Sequence, residues 1–339
     1  MAYTTINKSS EHFNTKLWTG TGSSNALTGV GFQPDFTWIK SRSDALSHAL
    51  FDAVRGTTKV LNSNATTAEY TNTDTLTAFG TDGFTVGSNT GVNASGETRV
   101  AWNWKAGNSA GSSNTDGSIT STVSVNTTAG FSIVKWTGTG SAVTVGHGLG
   151  QKPDILFVKR YSGSSSWTVY TDVIDGSNDY LALNASDAKG DSGNPVATNS
   201  VFQKSDTNGE EVIAYCFASK TGYSKIGSYT GNGNADGTFV YTGFKPAFVL
   251  IKQTSASGTD WRLMDNKRSA FNLVDDRLFP NLSNAENTGD GYDFLSNGFK
   301  IRTTNGDCNG SGQNYIYLAF AEEPLVANSG TDGVPATAR

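Results

Sequence analysis

The chain has 339 residues, a net charge of −5 from 25 Lys and Arg against 30 Asp and Glu, 39 glycines and only 16% charged residues. No cluster of basic residues offers the concentrated positive face that duplex nucleic acid requires. No apolar run of about 18 residues and no signal-peptide core occurs, so the reading is a cytoplasm-made protein without membrane insertion.

Abundant Gly, Thr, Ser and Asn beside two methionines favour strands and turns over helices. In chain order, WTGTG at 18–22 ends an early strand, with an aromatic entering the core and two glycines letting the chain turn. GFQPDFTWIKSR follows, then HALFDAVRG, LNSN, DGFTVGS and RVAWNWKAG. A Gly, Ser and Asn stretch of linker type begins at Gly107, and SITSTVSVN, TTAG and FSIVKW then read as a hairpin. WTGTG returns at 136–140 and is followed by GLGQKPDILFVKR, WTVYTDVIDG, YLALN, SVFQKS and EVIAYCFAS. A weaker copy, YTGNG at 229–233, opens TGFKPAFVLIK, WRLMDNKRS, LFPNLSN, NGFKIR and NYIYLAFAEEP.

Spacing supports a tandem array better than the letters do. Thr19, Thr137 and Thr230 lie 118 and 93 positions apart, Pro34, Pro153 and Pro246 119 and 93, and Asp52, Asp172 and Asp265 120 and 93. The expected fold is all-β: three tandem antiparallel β-sandwich, jelly-roll-like repeats over 1–109, 110–222 and 223–339, the second with an N-terminal linker and the third with a C-terminal tail. Each run after the proline is nearly continuous in apolar residues, as a strand covered on both faces would be. The last run of each unit is the expected central strand.

Trp102, Trp104, Trp167, Tyr215 and Trp261 are either core residues or stacking surfaces for sugar rings. Trp167 and Trp261, with Asp172 and Asp265, are the candidate glycan-binding residues. In FDAVRG and MDNKRS the aspartate precedes Arg55 and Arg268 by three positions, which suits a structural pair fixing a turn; TDVIDG lacks the arginine. GNSAG at 107–111 matches a nucleophile-elbow pattern, but no helix follows its serine. A Ser-His-Asp arrangement would have to recruit His12, His48 or His147; His48 and His147, with no convincing nucleophile near either, read as exposed or half-buried loop residues. Cys216 and Cys308 read as free thiols. Asp275, Asp276, Asp290 and Asp293 could hold calcium but lack EF-hand spacing. The expectation is therefore no enzyme, no catalytic residues and no cofactor beyond that calcium option.

The ordered set WTGTG, GFQPDFTWIK, LFDAVRG, DGFTVG, VAWNWKAG and YDFLSNGFKIR followed by YIYLAFAEEP resembles a family of repeat-bearing virion structural proteins of marine tailed phages, often tail-fibre-like. The resemblance runs from Phe13 to Pro324. It implies a structural component exposed on the phage particle, a tail-fibre or adhesin module in host attachment. Its implied partners are other virion proteins, a host cell-surface glycan and further copies of itself. A capsid decoration or cement protein is the second reading, because no coiled-coil heptad forms a shaft; glycan hydrolysis by paired carboxylates is the remote third.

Overall fold

The structure, a computed structural model, describes residues 4–324, so the C-terminal tail and the first three residues lie outside the described chain. It is all-β, with several antiparallel sheets arranged as three consecutive pairs of six strands with three, eight with two and four with four; the sheet of each pair that holds the post-proline strand is termed the large sheet and its partner the small one.

In the first unit the large sheet runs Phe13–Thr19, Thr98–Trp104, Phe36–Ser41, Ala49–Asp52, Gly56–Leu61, Tyr70–Thr71, and the small one Asn25–Thr28, Gly83–Val86, Leu76–Gly80. The second has a large sheet whose central part runs Phe131–Thr137, Glu211–Phe217, Ile155–Arg160, Thr168–Thr171, against only two strands, Ala142–Gly146 and Val201–Ser205. The third opposes Ser224–Thr230, Asn314–Pro324, Phe244–Gln253, Arg262–Asp265 to Phe239–Tyr241, Gly298–Ile301, Asn287–Leu295, Val274–Arg277. The last run of each unit lies between the first strand and the post-proline strand, as its apolar character predicts. The hairpin also forms, with Asn126 opposite Phe131. The stretch after Gly107 is less of a linker than its composition suggests, because Ser112–Asn114 pairs with Ser121–Asn126.

Alternation along each post-proline strand explains why the run is apolar throughout. Ile39, Leu156 with Val158, and Val249 with Ile251 face their own small sheets. Phe36 with Trp38, Ile155 with Phe157, and Phe248 with Leu250 face the opposite way, into one core shared by all three large sheets. At its centre Trp104, Phe217 and Phe320, equivalent residues of the three central strands, form a closed triangle. Their ring centroids lie 6.0, 5.7 and 5.8 Å apart, and each pair is edge-to-face. An approximate threefold axis therefore passes through this triangle. Such pairs add about 0.5–1.5 kcal/mol each beyond area burial, so the joint is a true core.

The repeated glycine string performs two separate tasks. Trp18, Trp136 and Tyr229 enter the cores between large and small sheets. The first glycine then passes against backbone: a Cβ on Gly20 would stand 2.0 Å from the Ala94 carbonyl oxygen, one on Gly138 2.3 Å from that of Thr207, and one on Gly231 2.4 Å from that of Gly310. The second glycine takes a left-handed conformation, with φ of 71°, 80° and 68° at Gly22, Gly140 and Gly233. Close approach and handedness are both met only by glycine. Gly20→Ala is expected to destabilise the protein by about 1–3 kcal/mol, read as a lower denaturant midpoint. The same change at Gly306, whose Cβ would meet nothing within 4 Å and whose φ is not left-handed, should cost less.

Candidate functional site

The candidate sugar-stacking tryptophans lie in the joint between units. Trp167 and Trp261 are buried, and each spends its only polar atom on a neighbouring unit. Trp167 Nε1 donates to the Asn62 carbonyl at 2.8 Å, and Trp261 Nε1 donates to that of Ala182 at 2.9 Å. The third member of this ring is His48, whose Nε2 lies 3.0 Å from the Phe279 carbonyl. His48 Nδ1 accepts from the Trp38 indole at 2.8 Å, so the proton must sit on Nε2 and the ring is neutral. Burial holds the imidazole well below its ordinary range.

Equivalence is also marked by the backbone: the amides of His48, Trp167 and Trp261 each donate to an asparagine side chain of their own unit, Asn64, Asn184 and Asn281. Spacing held the signal, since His48, Trp167 and Trp261 are 119 and 94 positions apart. The change of residue type hid it. His48 and His147 are thus not exposed or half-buried loop residues: both are buried, and His147 lies between the Leu149 amide and the Thr198 carbonyl.

Two further rings cross the same joints, the backbone amides donating in the opposite sense and the lysines in the same sense as the indoles. The amides of Glu69, Lys189 and Glu286 donate to the carbonyls of Tyr161, Thr254 and Arg42 at 2.9, 2.9 and 2.8 Å. Lys40, Lys159 and Lys252 reach the carbonyls of Ser283, Thr66 and Ser186 at 3.1, 3.0 and 3.5 Å. Each of these ammonium groups lies in the joint, and burial pushes each down to about 8.

The recurring aspartate completes the joint. Asp52 accepts from the amides of Val54 and Arg55 and from Arg55 Nε at 2.5 Å. Asp265 accepts in the same way from Lys267, Arg268 and Arg268 Nε at 2.5 Å. The structural reading of these pairs is thereby accounted for, and each carboxylate does more. Tyr215 of the second unit donates to Asp52 at 2.7 Å, and Trp102 of the first donates to Asp265 at 3.0 Å.

Strand register corrects the third landmark. Phe36 pairs with Asp52 and Phe248 with Asp265, whereas Ile155 pairs with Thr171, so Thr171 rather than Asp172 is the equivalent residue. Asp172 lies one place beyond, ion-paired to Lys152. The residue of the third unit that would face Thr171, in the place of Trp102 and Tyr215, is Leu318. Carboxylate and donor are therefore lost together at one joint out of three. That is what the cost of an unpaired buried charge demands. With Trp167, Trp261 and Asp265 enclosed and Asp172 paired elsewhere, these four residues do not form an open sugar site.

Among the described residues no group of three His, Cys, Asp or Glu is arranged to hold a metal ion, and Asp290 instead pairs with Arg262 and Arg277. Cys308 is buried in the helical turn Gly306–Asn309, and both cysteines are free.

One polar cleft, of about 240 Å³, opens in the second unit between Val158, Arg160, Ser165, Ser166 and Thr168 on one side and Lys204, Ser205, Asp206, Thr207 and Glu210 on the other. Arg160 pairs with Glu210 at 2.6 Å and Lys204 with Asp206 at 2.9 Å. The Trp136 indole of the second WTGTG holds the other Asp206 oxygen at 3.0 Å. No sequence landmark marked this place.

A family model described as a domain of unknown function, DUF7483, matches residues 8–324, a single match across all three sheet pairs. No curated protein matches the chain.

The joint makes two predictions. Tyr215→Phe removes one donor from a buried carboxylate and should cost about 1–3 kcal/mol, whereas Thr171→Asp places an unpaired charge opposite Leu318 and should cost about 3–5 kcal/mol; urea unfolding of the two variants measures the order. Below pH 8 the three joint lysines are charged in folded and unfolded chains alike. Between their folded value of about 8 and the ordinary 10.5 the folded state binds fewer protons. Stability should therefore rise with pH across that window, and the slope of melting temperature between pH 8 and 10 should be shallower in Lys159→Met.

Proposed function

The chain belongs to the DUF7483 family, whose description assigns no activity, and we propose that it is a non-enzymatic virion component exposed on a phage particle, acting as a tail-fibre or adhesin module in host attachment. The observation that carries this reading is the joint. Its carboxylates, lysines, indoles and imidazole are spent on holding three sandwiches as one body, which is the work of a building block rather than of a reaction centre. The family resemblance of the ordered landmarks points the same way.

The outer surface supplies contact sites. Phe239 and Tyr241 alternate outward on one edge strand of the third unit, and Phe271 and Leu273 are exposed just before Val274–Arg277, the strand at the opposite edge of the same sheet. Large apolar side chains exposed at both edges of one sheet offer interaction surfaces, here for neighbouring virion proteins.

Particle imaging with a label on the chain tests the assignment. Label density at the tail is expected. Density spread over the capsid lattice would make the chain a decoration protein instead, and its absence from purified particles would end both readings.

A further inference from the structure

The cleft of the second unit exists because that unit lacks parts the other two possess. In the first unit Leu76 covers Val86 from a third small-sheet strand, and in the third Tyr292 covers Ile301. Among the described residues Val201–Ser205 has only one neighbouring strand, Ala142–Gly146. The helical turns Thr90–Asn93 and Gly306–Asn309, which insert Val92 and Cys308, also have no counterpart, because only residues 206–210 connect the corresponding strands. The space so vacated is the cleft.

Its lining changed with its shape. Phe84, Phe202 and Phe299 occupy one equivalent position, opposite Leu27, Val145 and Val240. Two residues further on stand Val86, Lys204 and Ile301, so a lysine replaces an apolar core residue where the covering strand is gone. The Lys204 ammonium lies 5.7 Å from the centre of the Tyr170 ring and is paired with Asp206. Across the cleft Thr168 takes the place of Ala49.

The cleft retains unused hydrogen-bonding capacity. The side-chain hydroxyls of Ser166, Thr168, Ser205 and Thr207 make no hydrogen bond within the described chain, and Arg160 Nε is buried without a partner. Its two cations and two anions are already matched in pairs, so no surplus charge selects a phosphate or a carboxylate. An extended peptide replacing the missing strand would set apolar side chains against Lys204. A polyol suits the lining better: it offers many donors and acceptors, no charge, and a small apolar face for Val158 and the lysine stem.

We propose that this cleft binds the terminal residue of a neutral glycan, with Asp206 and Glu210 accepting from sugar hydroxyls and the free serines and threonines completing the contacts. The proposal rests on the attachment reading only for its biological setting, since sugar binding in the cleft can be measured on the isolated chain. The volume admits a chain end rather than a long saccharide, and the second WTGTG acquires a role in orienting Asp206 through Trp136.

The test titrates the full chain with neutral di- to tetrasaccharides of hexose and N-acetylhexosamine, followed by backbone amide NMR. Shifts confined to residues 158–168 and 204–210 are expected. Ser166→Trp, at an exposed position, should fill the cleft and abolish them while leaving the melting temperature unchanged. Asp206→Asn should weaken binding at least tenfold, and a folded spectrum of each variant excludes collapse as the cause.

Absence of saturable binding to every saccharide overturns the proposal, as does binding that Ser166→Trp leaves intact. Selective capture of a peptide strand along Val201–Ser205 would overturn it in favour of strand addition. Adsorption to cells separates this proposal from the attachment reading. If the parent chain adsorbs but shows no saturable sugar binding in the cleft, the cleft assignment falls and attachment stands; if the parent binds sugar in the cleft but never adsorbs, the cleft stands and attachment falls.

Discussion

Everything in this molecule depends on burying the second face of three large sheets against one another. A sheet covered on one side by a small partner still exposes a row of Phe, Trp, Leu and Ile on the other, and only the neighbouring units cover it. The polar atoms drawn into that joint then become obligations, because a buried donor or carboxylate without a partner costs more than a satisfied one returns. The chain meets them in both rotational senses. Each unit donates to one neighbour by indole or imidazole and by lysine, and to the other by backbone amide. This makes each unit incomplete alone, and it accords with a single family match that spans all three.

The rings are not equally occupied, and the exceptions are informative. Asp52 and Asp265 take Tyr215 and Trp102 as donors across the joint, whereas the Thr171 hydroxyl donates to the Asp154 carbonyl of its own unit and the position equivalent to Tyr215 and Trp102 is Leu318. The second unit also lacks the arginine that follows the other two aspartates, and it carries Lys189 where they carry Glu69 and Glu286. Lys189 pairs with Asp175 and Asp179 instead. Charges there were exchanged as a set, which preserves pairing while changing every member. The unit least constrained at the joint is the one whose small sheet has lost a strand and opened a cleft.

Much of this was legible in the sequence, for reasons that can be named. Continuous apolar runs after the prolines reported double-sided burial, because alternation disappears when both faces are covered. The aspartate followed by arginine three residues later reported a capped turn. Partner identity across the joint was not legible, since Tyr215 and Asp52 belong to different units and nothing in their spacing ties them. Counting aspartates along the chain placed the second landmark on Asp172, where the register puts Thr171. Letters can slip by one where a position loses its chemistry, and strand pairing cannot.

The cleft escaped notice for a different reason: it is made by absence. Shortening the connection to residues 206–210 and diverting residues 192–200 from the small sheet leave no motif, only a length difference between units. Rigid joints and open edges are complementary here. With the large sheets immobilised around the Trp104, Phe217 and Phe320 triangle, a small sheet can lose a strand without loss of the unit, because the core that fixes its position lies on the other side of the large sheet. A binding surface can then vary between units in the outer layer while the inner one stays fixed, which is how a repeated architecture can carry a local site without a change of fold.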